Sequence, residues 1–499
     1  MGKSFVSGKK RSSAIAPARR AALEAIREQR LRSAHMRDLL RSSKAFAALS
    51  ARDRALATRL ALGVVATKGE LQRVLKSHLR SKSHIEPKVG DALELATYEL
   101  LFLDTPVPVA VSQGVELVGS VSPRARGLAN AVLYQVTQID RPQHKELQKK
   151  LLNMQSTLSD QELGWAIGCP TWLVARIRSA HGDQAVRNFM QAQMEPAPVF
   201  VAGNLGLHTV QETENLLSQA KLMPHVCELP NCYALGCPQR LSTSGLVQTG
   251  EIIPCDASAQ CVALLCAPQP GVSFLEVGQG RGTKTELFLN DRLMLQTNQS
   301  LASESDIPFI GIDSEAFKVK VSRERLKYGW EGQTKSFAVD GLKLVDTGDC
   351  PKELQGKFDE VFVDAPCSGT GTLRRHPEIV WGLDPKSLDR KQTDSLPQLQ
   401  IALLNVAATR VKCGGLLCYA TCSVFKEEDE AIVKEFLASD VGKHFEVESV
   451  LKAPGVVLLD EAGKQELNKW VTPEGCFACL PSFNGPDGHF CIRLRNVQN

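Results

Sequence analysis

The sequence predicts an α/β domain with a mostly parallel, doubly wound sheet, preceded by an all-α domain and a small α+β adaptor. Three observations carry this. From Gly271 onward, short apolar runs alternate with helical stretches, the pattern of parallel strands joined by crossover helices. Before about residue 135 no strand-like alternation occurs, and apolar residues recur at helical spacing. Between these regions lies a stretch of some 90 residues with both kinds of signal.

In chain order, residues 1–16 are rich in Ser, Lys and Arg and are expected to be a disordered basic tail. Residues 17–140 read as the all-α domain. Ser50 followed by Asp53 marks a helix start, after which Leu56, Leu60 and Val64 share one face. A second helix is expected after Pro106-Val-Pro108, with Val111, Val115 and Val118 inward. The polar stretch 141–155 reads as a linker and 156–250 as the adaptor, with an amphipathic segment to about Gln193 and a strand within Pro196–Asn204. In the α/β domain, 251–499, strands are expected at Val272–Val277, Pro308–Ile312, Phe337–Val339, Val361–Val363 and Leu416–Ala420, with helices at Glu315–Tyr328 and Gln398–Val411. The polar run Asn290–Asp306 reads as a surface insertion.

Charge is unevenly spread over the 499 residues. Residues 1–82 hold 20 Lys/Arg against 5 Asp/Glu, a surplus of +15, whereas the whole chain carries +4. A basic end of this size suits a polyanionic partner, most plausibly nucleic acid. No run reaches the length of a membrane span, and the first residues lack an apolar core of signal-peptide length. The 15 scattered cysteines then fit a reducing cytoplasm. Cys227, Cys232 and Cys237 are evenly spaced and Cys476 and Cys479 form one pair. A zinc site would want paired short spacings, so no metal is expected.

Five segments carry chemistry. In Glu276-Val277-Gly278-Gln279-Gly280-Arg281-Gly282-Thr283-Lys284 a strand ends in an acid and a glycine-rich loop opens a helix. Such loops bring backbone N–H groups close to a ligand; nucleotides, flavins and S-adenosylmethionine are all bound this way. Thr283 stands where the phosphate-binding Walker motif needs Gly, so an adenosyl ligand fits better than ATP. Asp313 and Asp340 close the next two strands, where an acid can meet ribose hydroxyls or an adenine amino group. The fourth acid, Asp364, opens Asp364-Ala365-Pro366-Cys367, and a later strand delivers Thr421-Cys422-Ser423 to the same sheet edge. Two thiols and a carboxylate can then face one base. A thiolate adding at C6 of cytosine makes C5 nucleophilic towards a sulfonium methyl group, and an acid at N3 accommodates the charge.

Two resemblances rest on these residues. Tyr98-Glu-Leu-Leu-Phe-Leu103, the run Thr105–Val118 and Gly127-Leu-Ala-Asn-Ala-Val-Leu133 resemble the RNA-binding antitermination factor NusB, although Tyr134 stands where that family has Arg. The run Asp364–Trp381 and Tyr419-Ala-Thr-Cys-Ser-Val424 resemble the RsmB (Sun/Fmu) family of 16S ribosomal RNA cytosine-C5 methyltransferases, whose members also begin with a NusB-like domain. Asp256-Ala-Ser258 and Asp487-Gly-His-Phe490 are similar to further segments of that family. The resemblance implies a Rossmann-like methyltransferase with Cys422 as nucleophile at C6, Cys367 assisting release of the base, and Asp364 at both base and cofactor. It also implies S-adenosylmethionine held by Gly278–Lys284, Asp313, Asp340 and Asp364, and a monomer acting on 16S ribosomal RNA. The family's loop reads Cys-Ala-Ala-Pro-Gly-Gly-Lys-Thr; in this chain the Lys and the final Thr survive while the Pro is lost, and Glu276 stands where the family has Asp. Two other readings stay open: an RNA-binding assembly or antitermination factor with an inactive methyltransferase domain, and the same chemistry on transfer RNA. Arg374-Arg375-His376 reads either as an RNA-phosphate contact or as a solvated loop.

Overall fold

Ser50 shows how the first helices are specified. Its hydroxyl accepts from the Asp53 backbone N–H (3.1 Å) and caps the 28-residue helix Ala51–His78. Leu60 and Val64 on that helix are buried against Leu93 and Leu100 of the helix Pro87–Phe102 and Leu117 of the helix Val107–Val121. Leu56, Val111 and Val115 are partly buried against the same core. The computed structural model describes residues 15–32, 34–79, 85–153, 157–299, 309–344 and 351–498, so most of the expected basic tail lies outside the described residues. The chain forms two compact units. One runs to Ser179 and includes His376–Gly382; the other comprises Ala180–Arg375 and Leu383–Asn499.

Within the helical unit, the stretch expected as a linker is a helix, Arg141–Asn153. Its charged residues disguise an inner face on which His144, Leu147 and Leu151 are buried, and the His144 ring meets Phe102 edge-on with centroids 4.4 Å apart. Part of the basic surplus is also turned inward. Arg19 is buried against Glu99 (2.5 Å) and Arg30 pairs with Asp91 (3.0 Å). Tyr134 is exposed. Trp381 packs on Gly69, where a Cβ would come within 2.4 Å of the indole ring, and donates its indole N–H to the Ala66 carbonyl (2.8 Å).

The second unit holds two sheets. Strands β1 (Phe200–Gly203), β2 (Pro224–Val226), β3 (Cys232–Leu235) and β4 (Ile252–Pro254) form an antiparallel sheet in the order β2-β3-β1-β4. The larger sheet contains β5 (Phe274–Val277), β6 (Phe309–Asp313), β7 (Thr334–Ala338), β8 (Phe358–Asp364), β9 (Val411–Thr421), β10 (Phe445–Glu448), β11 (Phe477–Cys479) and β12 (His489–Asn496). Its order is β10-β12-β9-β8-β5-β6-β7, with β11 paired to β12. The strands from β9 to β7 are parallel, and β12 enters antiparallel between β9 and β10. Strand order reverses between β5 and β8, the position at which open α/β sheets form a ligand crevice.

Two expectations need correction here. Asn290–Asn298 is not a surface insertion: it continues the helix Thr283–Asn298, with Asn290, Asp291 and Leu295 buried. The Asn290 amide donates to the Gly203 carbonyl (2.8 Å) and accepts from Leu205 N–H (2.9 Å), so a polar residue is buried with its hydrogen bonds satisfied. Residues 300–306 of that stretch lie outside the described residues. The region after β9 also carries three strands that no sequence alternation signalled.

Candidate active site

Parallel strands place chemistry at their carboxyl ends, and five adjacent strands do so here. Cys422 follows β9, Asp364 ends β8 with Cys367 just beyond, Glu276 lies in β5, Asp313 ends β6 and Asp340 follows β7. The loop after β5 turns sharply. Gly278 has φ +89°, and a Cβ on it would lie 2.4 Å from the Asp364 carbonyl oxygen, so only Gly lets this loop touch the end of β8. Gly278 and Gln279 N–H both donate to the Ile312 carbonyl (2.9 Å each), fixing the loop to β6. Asp313 accepts from Gly280 N–H (3.0 Å) and Glu315 N–H (2.8 Å). Asp340 caps the short turn after β7, accepting from Leu342 N–H (3.0 Å).

Lys284, in the first turn of the helix after the loop, reaches back to Asp364 (Nζ–Oδ2 2.7 Å). Burial works against its charge, but the Asp364 carboxylate outweighs this and raises the ammonium above its usual range. Glu276 is fully buried. Its Oε2 accepts from the Thr285 hydroxyl (2.6 Å), while Oε1 has no hydrogen-bond partner. Burial pushes this carboxyl up to about 8, against the Thr285 hydrogen bond. Because that value lies above the ordinary glutamate value of about 4.5, the neutral form's stabilisation is complete below about pH 4.5 and is lost as pH rises through about 8. Glu276→Gln is therefore expected to flatten the fall in denaturant midpoint between about pH 5 and pH 8, a slope of up to about 1.4 kcal/mol per pH unit. Parallel pH series on both proteins check it; equal slopes would refute the assignment.

The two thiols meet. Cys367 Sγ and Cys422 Sγ are 3.4 Å apart and both residues are half-buried. The hydrogen bond to Cys422, and then burial, push the Cys367 thiol well above its ordinary value. The loops carrying the thiols are joined by Gly371 N–H donating to the Cys422 carbonyl (2.9 Å). A Cβ on Gly371 would meet that oxygen at 2.8 Å and the Gly488 carbonyl oxygen at 2.1 Å.

Arg374 and Arg375 are neither phosphate contacts nor a solvated loop. Arg374 is buried and donates to the carbonyls of Gly485 (2.9 Å) and Pro486 (2.7 Å) and to Asp487 (3.2 Å). Arg375 bridges Asp487 (2.5 Å) and Asp256 (2.5 Å) and donates to the Pro198 carbonyl (2.8 Å). Asp256 also caps the helix Ala257–Leu265 through Ser258 N–H (3.0 Å), and the Ser258 hydroxyl meets His489 Nδ1 (2.7 Å). His376 belongs to the helical unit, where it and His35 approach Glu378 (3.6 and 2.6 Å). Of the scattered cysteines, Cys227 N–H donates to the Cys232 carbonyl at the end of the β2–β3 hairpin (2.9 Å), whereas the Cys237 sulfur touches Met223 (3.3 Å).

Residues 263–495 match the family model of the 16S rRNA methyltransferase RsmB/F, and residues 16–138 match that of the NusB family. The ribosomal RNA small subunit methyltransferase B of Salmonella paratyphi B is 30% identical over 392 residues, covering 77% of this chain and 82% of its own length. The chain belongs to the RsmB family of ribosomal RNA methyltransferases. The enzyme of Salmonella typhi matches to the same extent, 30% over 77% of this chain and 82% of its own. Members of the RsmB family methylate ribosomal RNA with S-adenosylmethionine as methyl donor, and this chain is such an enzyme. The fold agrees. The crystal structure of PH0851 superposes with a TM-score of 0.71 at 20% identity, over 97% of this chain and all (100%) of that one. NSun6 from Pyrococcus horikoshii with SFG superposes with a TM-score of 0.50 at 15% identity, over 66% of this chain and 99% of that one. Among the described residues no helix is long and apolar enough to cross a membrane.

Proposed function

We propose that this RsmB-family enzyme methylates cytosine at C5 in 16S ribosomal RNA, with Cys422 joined covalently to C6 during the reaction. The observation that carries this reading is the 3.4 Å approach of two thiols beside the Lys284–Asp364 pair, at the ends of adjacent parallel strands. Cysteine is intrinsically nucleophilic, and the family resemblance gives the attack to Cys422 and the release of the base to Cys367.

The residues around the β5–β8 crevice fit S-adenosylmethionine. The glycine loop exposes backbone to a ligand, the helix beginning at Thr283 offers free N–H groups, and Asp313 retains acceptor capacity beyond its two backbone bonds. Glu276 Oε1 and Gln279 Oε1 are buried polar atoms with no hydrogen-bond partner. Gly278–Lys284, with Gln279, Arg281 and Thr283 in the loop, would hold the cofactor with Asp313, Asp340 and Asp364. When bound, S-adenosylmethionine supplies an electrophilic methyl group for C5.

The chain's own residues do the rest. The Cys422 sulfur forms a bond to C6, which transfers electron density to C5 and N3. The proton released by the Cys422 thiol is taken up at N3, and the Asp364 carboxylate, anchored by Lys284, accepts the hydrogen bond from that N3–H. Once C5 carries the methyl group, water takes its proton as the C6–S bond breaks beside the Cys367 thiol, and the departing Cys422 sulfur takes back the N3 proton, which restores the aromatic ring. The basic helical unit contributes phosphate contacts, and the target base is flipped into the site.

Gly278→Ala is expected to lower affinity for S-adenosylmethionine at least tenfold, because the added Cβ meets the Asp364 carbonyl oxygen. Calorimetric titration of the purified variant checks it, and unchanged affinity would mean the cofactor lies elsewhere. Bisulfite sequencing of total RNA from a strain lacking the gene tests the substrate. The reading predicts loss of one methylated cytosine in 16S RNA, and unchanged 16S methylation would reject it. Wild-type protein that binds no S-adenosylmethionine would favour the assembly-factor reading instead.

A further inference from the structure

Besides the sulfur–sulfur contact and the Gly371–Cys422 backbone bond, the two thiol loops share a further tie. Each is held by the residue that follows its cysteine, and both of those residues converge on one side chain, Glu428. This residue lies in the loop after β9 that leads to the helix Glu430–Leu437, and it is fully buried. Its Oε1 accepts from the backbone N–H of Ser368, next to Cys367 (2.8 Å), and from the Gln400 amide (3.0 Å). Its Oε2 accepts from the hydroxyl of Ser423, next to Cys422 (2.6 Å). Gln400 also donates to the Pro366 carbonyl (3.0 Å), so the Cys367 loop is gripped on both sides of its cysteine. The hydroxyls of Ser368, Thr370 and Ser423 close the space between the loops at 3.0 to 3.3 Å.

The backbone of Glu428 is itself fixed. The hydroxyl of buried Tyr419, on β9, donates to its carbonyl (2.6 Å), and its own N–H donates to the Phe425 carbonyl (2.9 Å). All three donors to its carboxyl group are neutral. Burying an acid among neutral donors costs more than burying an amide, but an amide offers only one acceptor oxygen. What a carboxylate adds is two equivalent acceptor oxygens, each taking a short bond from a different loop.

We propose that Glu428 is the positioning residue that sets the separation of the two thiols. By tying Ser368 and Ser423 to the two oxygens of one rigid group, it fixes Cys367 beside the sulfur that must leave C6. This rests on the two-cysteine reading of the reaction. Glu428 contacts neither substrate nor cofactor: it acts through the residues flanking the cysteines.

The test uses the full-length protein with Glu428→Gln, which keeps the shape but turns one acceptor into a donor facing either Ser423 or Ser368. The thiol separation is read by closure of the Cys367–Cys422 disulfide with diamide, an azo oxidant that takes up the two hydrogens as the S–S bond forms; acid-quenched peptides are then weighed by mass spectrometry. Closure is expected to slow at least tenfold. In methylation assays kcat should fall roughly 100-fold, the scale of an ångström misplacement, with KM for RNA and affinity for S-adenosylmethionine within twofold of wild type. A purely structural role would lower thermal stability without this split. Ser423→Ala, which removes one of the three donors, should give smaller changes in the same direction, and it keeps the idea testable if the Gln variant does not fold. Wild-type closure rate and kcat in a folded Glu428→Gln protein would overturn the proposal. Closure also separates the two readings. If Cys422→Ala retained methyl transfer, the two-cysteine chemistry would fall, while slowed closure would still establish the clamp.

Discussion

Replacing Cys422 by Ala is expected to reduce methyl transfer by at least about a thousandfold, the scale seen when a nucleophile is deleted, whereas replacing Cys367 by Ala should leave protein and RNA covalently joined. The asymmetry follows from the site. On the proposed reading Cys422 attacks C6, and Cys367, whose sulfur is 3.4 Å away, lies beside the sulfur that must depart. Without Cys422 no bond to C6 forms. Without Cys367 the bond forms and is released slowly. A denaturing gel with labelled RNA reads both: no shifted band for Cys422→Ala, and a band that survives denaturant for Cys367→Ala. The opposite pattern would reverse the two roles, giving the Pro-Cys thiol the attack.

The second large effect concerns stability. Arg375→Ala is expected to cost about 3–5 kcal/mol, the usual consequence of leaving buried charges without their partner. Asp487 and Asp256 have side chains only 1% and 6% exposed; Arg375 bridges the two, while Arg374 pairs with Asp487 alone. Burial pushes Asp256 up, but Arg375, His489 and the hydrogen bonds from Ser258 and the Asp487 backbone together outweigh it and bring that carboxyl below its ordinary value. Burial and the nearby Asp256 raise Asp487. Without Arg375 the two acids would repel across a dry interior. Arg375→Lys should recover part of the loss, since one ammonium cannot span both carboxylates in the planar fork. Denaturant unfolding of the three proteins measures the order, and an alanine variant within 1 kcal/mol of wild type would show that the network is dispensable.

Much of the site was legible because its chemistry is local. Asp364 and Cys367 sit three residues apart at one strand end, Cys422 follows one strand, and Gly278–Lys284 form one turn, so each is readable as a short motif. The rest depends on partners far apart in the chain. Arg375 lies 112 residues from Asp487 and 119 from Asp256, and no spacing rule joins them; the pair of arginines therefore looked like a surface feature. Glu428 sits in a run of four consecutive acids, Glu427–Glu430, preceded by another, Lys426, of opposite sign, and such a run reads as a solvated face. Strand β12 carries no alternation because nearly every one of its residues is buried, on both faces. Helix Arg141–Asn153 hid for the opposite reason: three inward residues among many charges leave too thin an apolar stripe to see.

Strand β12 has a kinetic consequence. The edge of β9 is covered by a segment synthesised well after it, through pairs such as Leu416 with Arg495 and Thr421 with Phe490. Until that segment arrives, the strand that delivers Cys422 presents a row of unpaired backbone groups to any passing chain. Closing so long a loop is slow, so the nascent protein spends this interval with its reactive strand bare.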